Sequence, residues 1–246
     1  MLFRSERIAS GSYDHTIRLW DVETEQPIGQ PLAGHDGFVL TIAFFPDSKY
    51  IVSGSDDWTI RIWDTGTQSA VGEPLCSHII VLSVAVSSNG LCIASGSADK
   101  KVRIWNAETR EVVHVLEGHS NTIRSVVFTP DGKHVVSGSD DKTIRVWDIE
   151  TGRMISGPFV GHEGWVWSVA VSLNGRYISS GSDDKTIRLW DATTGEAIGG
   201  PWRGHSGSVS SVAFSPDSRC IVSSSWDKTL RIWLVQGMVN DVHPTW

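Results

Sequence analysis

The sequence predicts an all-β fold built from six repeated antiparallel sheets, and three observations carry that prediction. First, the stretch SGSDDKTIRLWD at 180–191 has near-copies starting at Ser10, Ser53, Ser95, Ser137 and Ser223. Second, the tryptophans of these copies (Trp20, Trp63, Trp105, Trp147, Trp190 and Trp233) are spaced 43, 42, 42, 43 and 43 residues apart. A fixed period of that size marks an array of one supersecondary unit. Third, apolar and polar residues alternate within each unit, and no segment has a helical period.

The fifth unit shows each element in order. Trp165 to Ser172 alternates with period two and is rich in Val and Trp, which predicts a strand. Leu173-Asn174-Gly175-Arg176 reads as a turn, by the chemistry of Asn-Gly. Tyr177 to Ser182 is a second strand, Asp183-Asp184-Lys185 a tight turn, and Thr186 to Asp191 a third strand. Glu196 to Trp202 gives a fourth, less hydrophobic strand before the next Gly-His. Four short antiparallel strands per unit, repeated around a ring, leave few exposed sheet edges, and that architecture is a β-propeller.

Bulk properties bound the function. The chain has 246 residues, 40% hydrophobic and 20% charged, long enough for one large all-β domain. A net charge of −7 argues against nucleic acid and anionic membrane surfaces. No run reaches about 18 apolar residues, and the start MLFRSER lacks the apolar core of a secretory signal, so a cytoplasmic protein is expected. Cys76, Cys92 and Cys220 lack C-x-x-C spacing and are expected as reduced, buried thiols.

The Gly-His…Trp-Asp signature at this period resembles the WD40-repeat family, over nearly the whole chain. Single copies degrade: Ser77-His78 stands for Gly-His, and Trp105-Asn106 and Trp233-Leu234 for Trp-Asp. The near-identity of the copies is similar to WD40 arrays in fungal proteins with an NTPase (NACHT-type) domain ahead of the array. No G-x-x-x-x-G-K-[ST] occurs here, so no NTPase domain is expected within these residues. The resemblance implies a single propeller domain over 1–246, with units near 1–33, 34–76, 77–117, 118–160, 161–203 and 204–246. Six four-stranded blades are counted; the alternative is an incomplete array from a seven-bladed parent. Gln236 to Trp246 is expected as the outer strand of the sixth unit.

Recurring Ser, His and Asp invite a hydrolase reading, which five equivalent copies argue against. By resemblance, each set forms a structural hydrogen-bond chain from Trp to Ser to His to Asp. The sets are His35/Ser53/Asp57/Trp63, His78/Ser95/Asp99/Trp105, His119/Ser137/Asp141/Trp147, His162/Ser180/Asp184/Trp190 and His205/Ser223/Asp227/Trp233. In the second set His and Trp are 27 residues apart instead of 28. Arg18, Arg61, Arg103, Arg145, Arg188 and Arg231, each four residues after a turn aspartate, are expected to pair with carboxylates. His162-Glu163 is not part of an H-E-x-x-H, and Gly204 to Ser208 misses G-x-S-x-G. No catalytic residue, metal or cofactor is expected.

Function is then expected where the units differ. The resemblance points to the end carrying the Gly-His loops and tight turns, at positions three and five residues after the His and either side of the turn Asp. There stand Tyr13, Phe38, Leu40, Trp58, Leu82, Arg124, Trp165, Trp167 and Trp226. Blades five, six, one and two supply the aromatic arc; blades three and four supply Arg124, Lys100 and Lys142. Aromatic and Arg anchors are the residue types of interface hot spots. The expected function is a non-catalytic scaffold docking a protein or peptide; a small-ligand or glycan-binding propeller is the alternative. Adaptors of cullin ligases carry an Arg two residues after the Asp of Trp-Asp, and Glu23, Gly66, Glu108, Glu150, Thr194 and Gln236 stand there instead.

Overall fold

The computed structural model describes residues 7–235, and among them every regular element is a β-strand. Six antiparallel sheets follow one another along the chain. Blade one has three strands, Arg7–Gly11, Thr16–Asp21 and Leu32–Ala33. In blades two to six the inner strands are Val39–Phe44, Val81–Val86, Ile123–Phe128, Val166–Val171 and Val209–Phe214. Each pairs with the second strand of its unit, which pairs in turn with the Trp-Asp strand. The five inner strands converge on an axial cavity of about 640 Å³. The expected six-bladed propeller is therefore the observed architecture. The expectations for Gln236 to Trp246 lie outside the described residues.

The core sits between blades. Ile187 and Leu189 of blade five, 0% and 3% exposed, pack on Val209, Val212 and Ile221 of blade six. The same arrangement joins Val136, Ile144 and Val146 to Val166, Val169, Ile178 and Trp190. Full burial of such a side chain contributes about 1.5–3 kcal/mol. A hydroxyl on the inner strand of blades two to five adds a hydrogen bond to the next blade. The amides of Val84, Val126, Val169 and Val212 donate to the side chains of Thr41, Ser83, Ser125 and Ser168 at 3.0–3.1 Å.

The Ser-Gly-Ser of the second strand divides three tasks. The first serine is buried under the tryptophan, as Ser53 is under Trp63 at 2.8 Å. The glycine lets the next blade approach; a Cβ at Gly181 would stand 2.7 Å from a methyl of Val209. The second serine accepts the amide of the turn aspartate, as Ser55 does for Asp57 at 3.0 Å.

The outer strand differs from expectation in blade five, where Glu196 to Trp202 makes only the isolated bridges Trp190↔Ala197 and Ile187↔Trp202. The cause is Gly199-Gly200-Pro201. Gly199 takes a φ of 71°, a left-handed conformation open to glycine, and Pro201 has no amide to donate. Gly29 and Gly72 repeat this at 65° and 60°, and their outer strands are equally broken. Unit three has no such glycine, and Val112–Leu116 is continuous. The thiols depart from expectation too: Cys76 is exposed and Cys92 and Cys220 are half-buried.

Candidate functional site

Four of the five predicted tetrads form. His162 donates Nδ1–H to Asp184 Oδ2 at 2.7 Å and accepts from the Ser180 hydroxyl at 2.7 Å, while the Trp190 indole donates to Ser180 at 2.8 Å. The sets of His35, His119 and His205 repeat this within 0.1 Å. Every donor finds an acceptor, so the chain of bonds can be buried without an orphaned group. Burial pushes His35 below the usual imidazole range, in spite of the hydrogen bond to Asp57. Burial alone would raise Asp57; hydrogen bonds from Thr59 and His35 outweigh it and hold the carboxyl at about 2. Ser53, Ser137 and Ser180 are 0% exposed, which closes them to any outside substrate.

The tetrad assigned to blade three does not form. His78 is exposed, and Ser77 before it, 1% exposed, follows Cys76 as Gly34 follows Ala33. The single-residue deletion shifts the loop by one position. Asp99 turns to Arg103 and Ser97 instead, and only the Trp105–Ser95 bond survives, at 2.8 Å. In blade one Asp14 likewise pairs with Arg18, at 3.6 Å.

The expected arginine–carboxylate pairs are confined to those two blades. Among the described residues Arg61, Arg145, Arg188 and Arg231 reach no carboxylate, because the histidine already holds the aspartate. Their guanidiniums lie beside the glycine of Gly-His; a Cβ at Gly161 would meet Arg188 at 3.2 Å and the Trp190 ring at 3.1 Å.

The variable positions gather at one end of the blades. The residue before each turn aspartate donates its amide to the residue three after the histidine: Asp183 to Trp165 at 2.9 Å, Trp226 to Ser208 at 3.0 Å, and Asp140 to Thr122 at 2.9 Å. Loop and turn are thus fixed to each other, and side chains from both reach the same surface. Trp165, Trp167 and Trp226 form one cluster, with ring centroids 5.8 Å apart for the first pair and 5.2 Å for Trp167–Trp226. Trp165 and Trp226 are 42% and 62% exposed, and Trp167 is half-buried between them.

Arg124 belongs to this cluster and not to the opposite side of the ring. Its guanidinium stacks 4.5 Å from the Trp167 ring and 5.5 Å from Trp165. Asp140, 6% exposed, grips it with two hydrogen bonds of 2.8 Å. Neither Asp140 nor its clamp was found by sequence reasoning; the signal was an Asp before the turn in the same unit as Arg124. The Trp167 indole N–H is enclosed and, among the described residues, meets no acceptor.

A second aromatic pair, Tyr13 stacked on Phe38 at 4.5 Å, joins blades one and two, with 71% and 40% exposure. Trp58 is 56% exposed at the left-handed turn position, φ 70°, that Lys142 and Lys185 take elsewhere. Leu40 and Leu82 are half-buried.

Comparison with known proteins agrees with this arrangement. The chain matches the family described as "WD domain, G-beta repeat" over residues 3–21, 26–64, 72–106, 110–148, 154–191 and 199–233. The chain belongs to the WD40-repeat family. Two curated relatives match over a length close to that of one repeat. The nuclear distribution protein PAC1 of Coprinopsis cinerea is 50% identical over 42 residues, 17% of this chain and 9% of that protein. Ribosome assembly protein 4 of Chaetomium thermophilum is 46% identical over 46 residues, 19% of this chain and 9% of that protein. In each case the match spans about a tenth of the relative's length. Among the described residues no helix is long and apolar enough to cross a membrane.

Proposed function

We propose that this WD40 array is a non-catalytic scaffold that docks a protein or peptide on the end bearing Trp165, Trp167, Trp226 and Arg124. One observation carries the reading: three tryptophans and an arginine, none required by the repeat, stand together at an exposed end. Rigid aromatic side chains lose little entropy on docking, and with Arg they dominate interface energetics. Because Asp140 neutralises Arg124, the cluster presents an apolar aromatic surface suited to an apolar side chain of a partner. Tyr13, Phe38 and Trp58 extend the same face across blades one and two, and Leu40 and Leu82 support it. The names of the two relatives, both of distribution or assembly proteins, are in keeping with a scaffold. Free thiols suit a reducing compartment, so a cytoplasmic location is part of the proposal.

Selection from a peptide-display library and a parallel glycan array test it. Enriched peptides that lose affinity on Trp167→Ala support the docking reading. Glycan binding without peptide enrichment replaces it with a carbohydrate-binding propeller.

A further inference from the structure

Asp56, Asp140 and Asp183 each stand just before the turn aspartate of their unit, and two of the three have a partner. Asp140 of blade four holds Arg124 with two hydrogen bonds of 2.8 Å. Asp183 of blade five accepts from the Ser208 hydroxyl of blade six at 2.6 Å. Asp56 of blade two differs. Among the described residues no donor reaches its carboxylate, although Oδ1 is enclosed. A partly desolvated carboxylate without a donor is unfavourable, and such groups are ordinarily paired.

Three departures from the other units remove the donors. Leu40 stands where blade four has Arg124, each following the first residue of its inner strand. Ile80 of blade three stands where blade six has Ser208; each accepts the amide of the residue before its turn aspartate, Ala98 at 3.4 Å and Trp226 at 3.0 Å. Trp58 follows the turn aspartate where blades three to six carry Lys100, Lys142, Lys185 and Lys228. With no donor across the blade boundary, the carboxylate lies over its own loop, and a Cβ at Gly37 would stand 2.1 Å from Oδ1. Asp57 beside it is already held by His35, Thr59 and the Asp36 amide at 2.7–3.0 Å.

Asp56 is half-buried with only Oδ1 enclosed, so Oδ2 is the atom that a group from outside can reach. Its amide donates to the Phe38 carbonyl at 3.2 Å, which fixes it at the exposed end of the blade. Phe38 and Trp58, 40% and 56% exposed, belong to the same loop and turn. Aromatic rings near a carboxylate favour a cation on an apolar stem, as Trp165 and Trp167 do for Arg124.

We propose that Asp56 receives a cationic side chain, arginine or lysine, of the docked protein or peptide, at Oδ2 and beside Phe38 and Trp58. The guest does there what Arg124 does for Asp140 within the chain. This rests on the docking reading above and adds to it a charge requirement at blade two.

The test uses peptides selected by display against the full chain and resynthesised with each basic residue exchanged for glutamine. The expected result is one arginine or lysine whose exchange weakens binding at least about tenfold, the size of one charge-assisted hydrogen bond. Exchange between arginine and lysine at that position tells the two apart. Against Asp56→Asn the glutamine exchange should cost little further, the mark of a direct pair in a double-mutant cycle. The Tm of Asp56→Asn should not fall, because the carboxylate accepts no bond in the free chain. Leu40→Arg, which keeps Asp56 but supplies an internal cation, should abolish the preference as well. Selected peptides without a basic residue overturn the proposal and leave docking on the aromatic cluster standing. So does a glutamine exchange that costs as much against Asp56→Asn as against the intact chain. A lowered Tm of Asp56→Asn with that preference intact also overturns it, by assigning the carboxylate to the fold. Failure to select any peptide overturns both readings.

Discussion

Asp57, Asp141, Asp184 and Asp227 each accept from a histidine Nδ1 at 2.7–2.8 Å, whereas Asp14 and Asp99, without an aligned histidine, turn to Arg18 and Arg103. The same residue type in the same turn thus has two partners, and the loop before it decides which. Asp184→Ala should cost about 1–3 kcal/mol in denaturant unfolding, because buried His162 loses its acceptor. Asp99→Ala, whose partner Arg103 can turn to water, should cost less. Equal losses would contradict the account. The four complete tetrads were legible in the sequence from spacing and family resemblance. The fifth was not, although its 27-residue separation held the answer: His78 stands three residues before Val81 where His35 stands four before Val39, and it is left exposed. The pairing of all six arginines with carboxylates was misread for a related reason, since a carboxylate already held by His and Thr has no use for them. The placement of Arg124 on Trp167 depends on which side chains meet across blades four and five, and period counting does not contain that.

At the scale of elements, inner and second strands and their tight turns follow directly from period-two alternation and from Asn-Gly and Asp-rich turns. Outer strands do not, because one G-x-P step decides whether they pair continuously, and its effect acts through φ and a missing amide. The inner-strand hydroxyls were also unread: Thr41, Ser83, Ser125 and Ser168 look like ordinary polar positions of a half-exposed strand, yet each bridges to the next blade. Ser125→Ala should lower stability by about 0.5–1.5 kcal/mol. Ser211→Ala, whose hydroxyl meets no blade among the described residues, should change little in the free chain. Urea midpoints of the two variants check this, and a larger loss from Ser211→Ala would contradict the assigned roles.

For the whole molecule, the buried tetrads couple stability to pH. Folded His35 resists a proton that the unfolded chain accepts near about pH 6.5, so stability falls as pH drops through that value. Asp57, Asp141 and Asp184 have lowered folded values, so what they contribute is present above about pH 3.9 and lost as pH falls further. Tm should therefore decline in two stages on acidification, and a Tm independent of pH between 7 and 5 would remove the histidine contribution. The propeller itself was plain in the sequence because its period is encoded six times over, whereas a docking face is encoded once and only as departures from the repeat. The decisive measurement is the affinity of a display-selected peptide for the intact chain and for Trp167→Ala, Lys142→Ala and Lys185→Ala, by calorimetry. Trp167→Ala should bind at least about tenfold more weakly, near 1.4 kcal/mol, with the fold retained, and both lysine variants should bind as the intact chain does. Equal affinity across all four proteins would contradict the assignment of the aromatic cluster as the docking site.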